Sequence, residues 1–210
     1  MENKIFEDNR WQVKDQHLNF GHKAILSFID RGWVLDVGCG DGLLLSALKD
    51  RGIDGLGLDF SEEAIKKCKA RGVRAQLTDL TKTPWLVEEK GFDYVVALDV
   101  LEHFYYPEKL LAEMKRISSG YLIIGVPNFN SLAARLQVLL GKVPENNTLK
   151  KGHVFWFNWH LFQEMISRNN LEIIETKTSS FRYPGFKILA KLFPSVFALS
   201  FVVKVKKISF

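Results

Sequence analysis

A chain of 210 residues, 47% hydrophobic and 25% charged, has the composition of a globular protein with room for a sizeable core. Two cysteines, Cys39 and Cys68, exclude a disulfide framework, and no apolar run reaches the roughly 18 residues of a membrane-spanning helix. With no secretory segment at its start, the chain reads as one cytoplasmic domain over residues 1–210.

Residues 1–31 are expected to form an N-terminal helical cap, with a helix over 17–29 that either packs on the sheet or covers a ligand. Apolar runs then alternate with helical patterns. Strands are expected over 33–37, 55–58, 73–77, 94–98 and 121–126, and helices over 43–50, 61–70 and 108–117. Ser61 suits an N-cap with Glu62 and Glu63 behind it, Gly72 suits a helix end, and Pro107 suits a first helical turn. This alternation predicts an α/β, Rossmann-like three-layer sandwich with a mostly parallel sheet, whose ligand edge lies beyond the strand C-termini. The alternation breaks over 128–158, a candidate insertion on the substrate side with a short helix over 131–140. A helix over 159–168 and strands over 171–176 and 201–205 complete the chain, with an apolar, basic piece over 184–197.

The net charge of +5 is concentrated at the C-terminus. No acid follows Glu175, but Lys177, Arg182, Lys187, Lys191, Lys204, Lys206 and Lys207 do. Such a segment fits either peripheral contact with an anionic membrane or lysines guarding an edge strand. Ala190, Phe193, Phe197 and Phe201 between those charges could touch lipid, pack under the sheet or form a homodimer contact.

The chemistry is concentrated at Val34-Leu35-Asp36-Val37-Gly38-Cys39-Gly40-Asp41-Gly42. A hydrophobic strand runs there into a turn with glycines at alternate positions, then into a helix, an arrangement that lets a ligand approach backbone N–H groups. Asp59, closing the next strand, suits the two hydroxyls of a ribose. A dinucleotide fingerprint would require glycine at position 43, which is Leu43, so a nicotinamide cofactor is disfavoured. No Lys-Ser/Thr phosphate clamp follows, which disfavours ATP and GTP. Asp79 could accept from an adenine amine, Phe60 and Leu80 could flank the base, and Leu98 ends the fourth strand on the same edge. Asp36 would either steady the turn or reach the cofactor's amino group.

The motifs VLDVGCGDG (34–42), GLDFS (57–61), TDL (78–80) and FDYVVALDVLEH (92–103) resemble, in order and spacing, the class I S-adenosylmethionine (SAM)-dependent methyltransferases. The resemblance implies a seven-stranded sheet with an antiparallel last strand beside the fifth. It also implies SAM as cofactor, S-adenosylhomocysteine (SAH) as product, and Asp36, Gly38, Gly40, Gly42, Asp59, Phe60, Asp79, Leu80 and Leu98 as the cofactor-binding set. PNFNSLAARLQVLLGKVP (127–144) and HVFWFNWHLFQEMISRNNLEI (153–173) look like the MetW-type methionine-biosynthesis proteins. Leu101-Glu102-His103 departs from that pattern and looks like the quinone and other small-molecule (type 11) methyltransferases.

His103 and His153 are the candidate catalytic bases, since imidazole titrates near neutral pH. Both also read as hydrogen-bonded residues among aromatic neighbours, and Asn128 and Trp156 are further candidates on the insertion. Cys39 reads as a small turn residue. The chemistry requires no metal, and no ligand spacing for one is visible. The expected reaction moves a methyl group to an oxygen or nitrogen of a small-molecule or lipid-like acceptor. The alternative is a MetW-like partner or regulatory subunit of a biosynthetic enzyme. Nucleic acid is disfavoured as a partner, because no recognition module or Asn-Pro-Pro-Tyr-like motif is present.

Overall fold

The computed structural model describes residues 17–148, 151–181 and 183–208. Within these are strands β1 (Val34–Val37), β2 (Gly55–Asp59), β3 (Ala75–Leu77), β4 (Phe92–Leu98), β5 (Ser118–Pro127), β6 (Leu171–Ser179) and β7 (Ser200–Lys207). The helices are α1 (Phe20–Phe28), α2 (Leu43–Lys49), α3 (Glu62–Ala70), α4 (Pro107–Ile117), α5 (Leu132–Leu139), α6 (Trp159–Arg168), α7 (Pro184–Leu192) and α8 (Pro194–Phe197). The strands follow the order β3-β2-β1-β4-β5-β7-β6. β1 pairs in parallel with β2 and β4, β2 in parallel with β3, and β6 antiparallel with β7. This is the α/β Rossmann-like sandwich that the βα alternation predicts, with the last strand between the fifth and sixth.

The described residues form two compact units. One runs up to Ala97 and includes Glu113–Ile123; the other comprises Leu98–Ala112 and the residues from Ile124 onward.

In the first unit, Val34, Leu35 and Val37 are fully buried, as continuous apolar strands covered on both faces must be. Helix α1 buries Ala24, Ile25, Leu26 and Phe28, and the Arg51 guanidinium donates to the Leu26 carbonyl at 2.7 Å. The helix therefore packs into the core; the part of the expected cap before residue 17 lies outside the described residues. Helix α3 starts on Ser61, whose hydroxyl accepts from the Ala64 N–H, and places Glu62 and Glu63 at its positive end. The loop after β3 is tied to α4 by Glu113. That carboxylate accepts from the Trp85 N–H at 2.6 Å and pairs with Arg116 at 2.6 Å, and Arg116 holds its carboxyl below the ordinary range. β3 is shorter than expected because Val73 closes the end of α3, its N–H bonding to Cys68 O at 3.1 Å.

In the second unit, β7 is an interior strand and β6 the edge strand, so Lys204, Lys206 and Lys207 do not guard an edge. The antiparallel register instead sets Lys206 opposite Glu172 and Lys204 opposite Glu175, with a Lys206–Glu172 ion pair at 3.1 Å. Pairing thus brings acids from before the basic tail against its lysines. Ala190 and Phe201 are buried, whereas Ile188, Leu192 and Phe193 face outward beside exposed Lys187 and Lys191.

Asn128 also takes a structural place. It is fully buried at the end of β5, and its Nδ2 lies 3.4, 3.3 and 2.8 Å from the carbonyls of Pro194, Ser195 and Ala198. Its Oδ1 accepts from the Asn130 N–H at 3.0 Å. One amide side chain thereby fastens the start of the insertion to α8. Replacing it should leave buried polar groups without partners. Asn128→Ala is expected to destabilise the fold by about 2 kcal/mol or more, read as a lowered denaturant midpoint. An unchanged midpoint would remove this structural role.

Candidate functional site

The glycine-rich turn is built by its neighbour strand. The Leu58 carbonyl accepts from the N–H groups of Gly38 at 2.7 Å and Cys39 at 3.1 Å. Gly38, Gly40 and Gly42 have φ of 70°, 54° and 76°. At Gly42 a Cβ would lie 2.7 Å from Val73 Cγ2 and 2.9 Å from Cys68 Sγ, so both the dihedral and the packing of α3 require glycine.

Asp59 is the keystone of this turn. One carboxylate oxygen accepts from the Gly40 N–H at 2.9 Å and the other from the Ser61 N–H at 2.9 Å. It is buried, and a carboxylate fixed by these two backbone bonds is the kind of acceptor that ribose hydroxyls require. Asp41 braces the same turn from inside. Its carboxylate is 2.7 Å from Arg71 at the end of α3 and accepts from the Leu43 N–H at 3.3 Å. The motif reading missed that pair; the visible signal was an acid within the glycine turn and an arginine closing the following helix.

Asp36 is buried at the end of β1, and no described residue donates a hydrogen bond to it. Burial, and then the nearby Asp59 charge, push its carboxyl up to about 8. A cationic amino group set against it would relieve both effects. Cys39 and Cys68 are buried free thiols 3.9 Å apart, and Cys68 Sγ donates to Gly40 O at 3.2 Å. The hydrogen bond with Cys68 and burial push the Cys39 thiol well above its ordinary range, so it is a packed turn residue.

Farther along the edge, Phe60 is half-buried and Leu80 buried, with the Leu80 carbonyl accepting from the Trp85 indole at 3.4 Å. Asp79 is exposed and caps its own loop, accepting from Thr81 Oγ1 at 2.6 Å and pairing with Lys82 at 3.2 Å. The Thr81 hydroxyl holds its carboxyl below the ordinary range.

The second unit gathers the histidines. A short 3-10 turn, Leu101–His103, follows β4, and the Glu102 carbonyl accepts from the N–H groups of Val154 at 2.8 Å and Phe155 at 3.0 Å. That backbone link sets His153 beside Glu102, with Nε2 to Oε1 at 3.8 Å, and beside His103, with ring centres 4.8 Å apart. Phe129 lies edge-on to His153 at 5.4 Å and stacks with the half-exposed Trp156. Leu98, also in this unit, is half-buried at the end of β4. The sequence marks His103 and His153 separately; their convergence with Glu102 depends on chain contacts about 50 residues apart.

The model of the methionine biosynthesis protein MetW matches residues 12–178. The chain belongs to the MetW family. Among curated relatives of this MetW-family chain, the ubiquinone biosynthesis O-methyltransferase of Methylococcus capsulatus is 31% identical over 114 residues, 51% of this chain and 48% of that protein. The bifunctional methionine biosynthesis protein MetXA/MetW of Rhodopirellula baltica is 31% identical over 157 residues, 70% of this chain and 24% of that protein. The chain thus spans about half or less of the length of these relatives. Among solved structures, a SAM-dependent methyltransferase from Thermotoga maritima superposes with a TM-score of 0.70 at 19% identity, covering 98% and 97% of the two chains. The magnesium protoporphyrin IX methyltransferase of Synechocystis with bound SAH gives 0.69 at 18% identity, over 97% and 94%. The fold is that of the class I SAM-dependent methyltransferases.

Asp36 supplies a direct test of the cradle's electrostatics. Folding raises its carboxyl to about 8, so the native chain retains a proton that the unfolded chain releases near pH 4. Stability should therefore fall as pH rises through that interval. Relative to Asp36→Asn, the protein should lose stability at up to about 1.4 kcal/mol per pH unit between roughly pH 5 and 7, levelling above pH 8. Denaturant melts across pH measure this; a pH-independent difference would contradict it.

Proposed function

We propose that the chain binds SAM in the glycine-turn cradle and transfers its methyl group to an oxygen or nitrogen of a small-molecule or lipid-like acceptor. The observation that carries this reading is the buried Asp59 carboxylate fixed by the Gly40 and Ser61 N–H groups, 2.9 Å from each. That arrangement would present an acceptor for ribose hydroxyls beside the glycine turn. Asp36 would take the cofactor's amino group, Gly38, Gly40 and Gly42 would admit its methionine part, and Phe60, Asp79 and Leu80 would meet its nucleoside. A SAM methyl group is already electrophilic, so the protein's work is to align the nucleophile and exclude water. His103 and His153 are the proposed acceptors of the nucleophile's proton. The bound SAH and SAM of the Synechocystis enzyme support the cofactor assignment by fold.

Calorimetry with SAM and SAH tests the reading. One-to-one binding of both is expected, weakened at least tenfold by Asp59→Ala. No binding of either ligand to the folded protein would end it.

The lipid-like acceptor draws support from α7, where Ile188, Leu192 and Phe193 are exposed beside Lys187 and Lys191. An amphipathic helix of this kind suits an anionic bilayer. Co-sedimentation with vesicles rich in phosphatidylglycerol is expected at low salt, and Lys187→Glu with Lys191→Glu should abolish it. Equal sedimentation of the two proteins would contradict this contact.

A second reading has its own support. The Rhodopirellula relative bears both MetXA and MetW in its name. The MetW-like part represented by this chain would then act as partner to a methionine-biosynthesis enzyme. Co-elution with such an enzyme, without methyl transfer by the isolated chain, would favour that role.

A further inference from the structure

We infer that Glu102, His103 and His153 form a binding site for a divalent transition-metal cation. The three side chains each bring one ligand atom, and these atoms lie within 4.8 Å of one another. Two imidazoles and a carboxylate make a borderline donor set that suits Zn2+, Co2+ or Mn2+ better than the all-oxygen shells of Ca2+ or Mg2+.

Hydrogen bonds to backbone carbonyls orient both rings. His103 Nδ1 is 3.1 Å from the Gly152 carbonyl, and His153 Nδ1 is 2.8 Å from the Asn146 carbonyl. A carbonyl only accepts, so each Nδ1 carries a proton, and Nε2 is the nitrogen each ring would offer to a metal. Ligating histidines are oriented in this way, with the other ring nitrogen donating to a backbone carbonyl. His153 Nε2 lies 3.8 Å from Glu102 Oε1, so the ring nitrogen opposite the carbonyl-bonded one is on the carboxylate side.

Burial adds to the case. Glu102 is fully buried, and a buried carboxylate is stabilised by a nearby cation. The backbone bonds from Val154 and Phe155 to the Glu102 carbonyl hold the two contributing segments together, so the donor set does not depend on a flexible side chain alone. Phe129 lies edge-on to His153 and stacks in turn on Trp156. Ligand bonds of about 2.0–2.2 Å bring donors of one metal to roughly 3–3.5 Å apart. Side-chain adjustments of about 1 Å close the cluster to that spacing.

This site lies within the second unit and does not depend on SAM binding. It does alter one part of the proposed reaction. With a cation bound, both Nε2 lone pairs are ligands, and neither imidazole can accept a proton until the metal leaves.

The test uses the full chain, stripped with a chelator, desalted and titrated with Co2+. Visible absorption and calorimetry should show one Co2+ per chain, and an equimolar amount of Zn2+ should bleach the band. His103→Ala and His153→Ala should each weaken Co2+ binding at least tenfold, while circular dichroism confirms that both remain folded. His160→Ala, which removes an exposed histidine on α6, should bind as the unaltered protein does. Absence of one-to-one binding below about 0.1 mM, or equal affinity in the His103 and His153 variants, would overturn the site. SAM calorimetry on the stripped protein is a separate measurement, so failure of the metal site and failure of the cofactor reading are distinguishable.

Discussion

The hydrogen bond from the Gly40 N–H to the Asp59 carboxylate joins the turn after β1 to the end of β2. Much of the first unit depends on it. The same carboxylate accepts from Ser61, whose hydroxyl caps α3, so one buried acid sets the turn and the start of the next helix together. The far end of α3 returns through Arg71 to Asp41 within the turn, and Cys68 reaches Gly40 O from the middle of the helix. The turn is therefore held from both ends of α3 and from its centre. A site on a segment held this way is preorganised before any ligand arrives.

Asp36 and Asp59 show how one turn assigns different work to two acids. Asp59 has two backbone donors, whereas Asp36 has burial and a neighbouring negative charge. The second acid is costly to ionise and so suited to meet a cation. In the proposed complex the two carboxylates would meet different ends of the cofactor, Asp59 its hydroxyls and Asp36 its amino group.

The central strands and α6 were legible because their signals are local. β1 is a short run, apolar but for Asp36, that leads straight into Gly38, and α6 follows an Asn158 cap whose side chain accepts from the Leu161 N–H. Where tertiary contacts decide, residue type misleads. Asn128 lies at the start of a polar insertion and looks like a ligand-binding residue, yet its amide is used up on three carbonyls of a segment about 70 residues away. The basic tail looks like a separate charged surface until antiparallel pairing sets Lys206 against Glu172. Glu102 reads in the sequence as a brace for backbone or the first helix, and its place beside His153 emerges only when the insertion folds back. The glycine turn, by contrast, makes its contacts within about 30 residues of sequence, across a single βα repeat.

The central claim is that the cradle built around Asp59 receives SAM. Amide NMR of the labelled protein during titration with SAH tests it most directly. The account predicts saturable shifts at Gly38, Gly40 and Gly42 and at Phe60 and Leu80, with weaker effects around Leu86 and Lys142. Saturable binding that leaves the glycine-turn amides unmoved would contradict it.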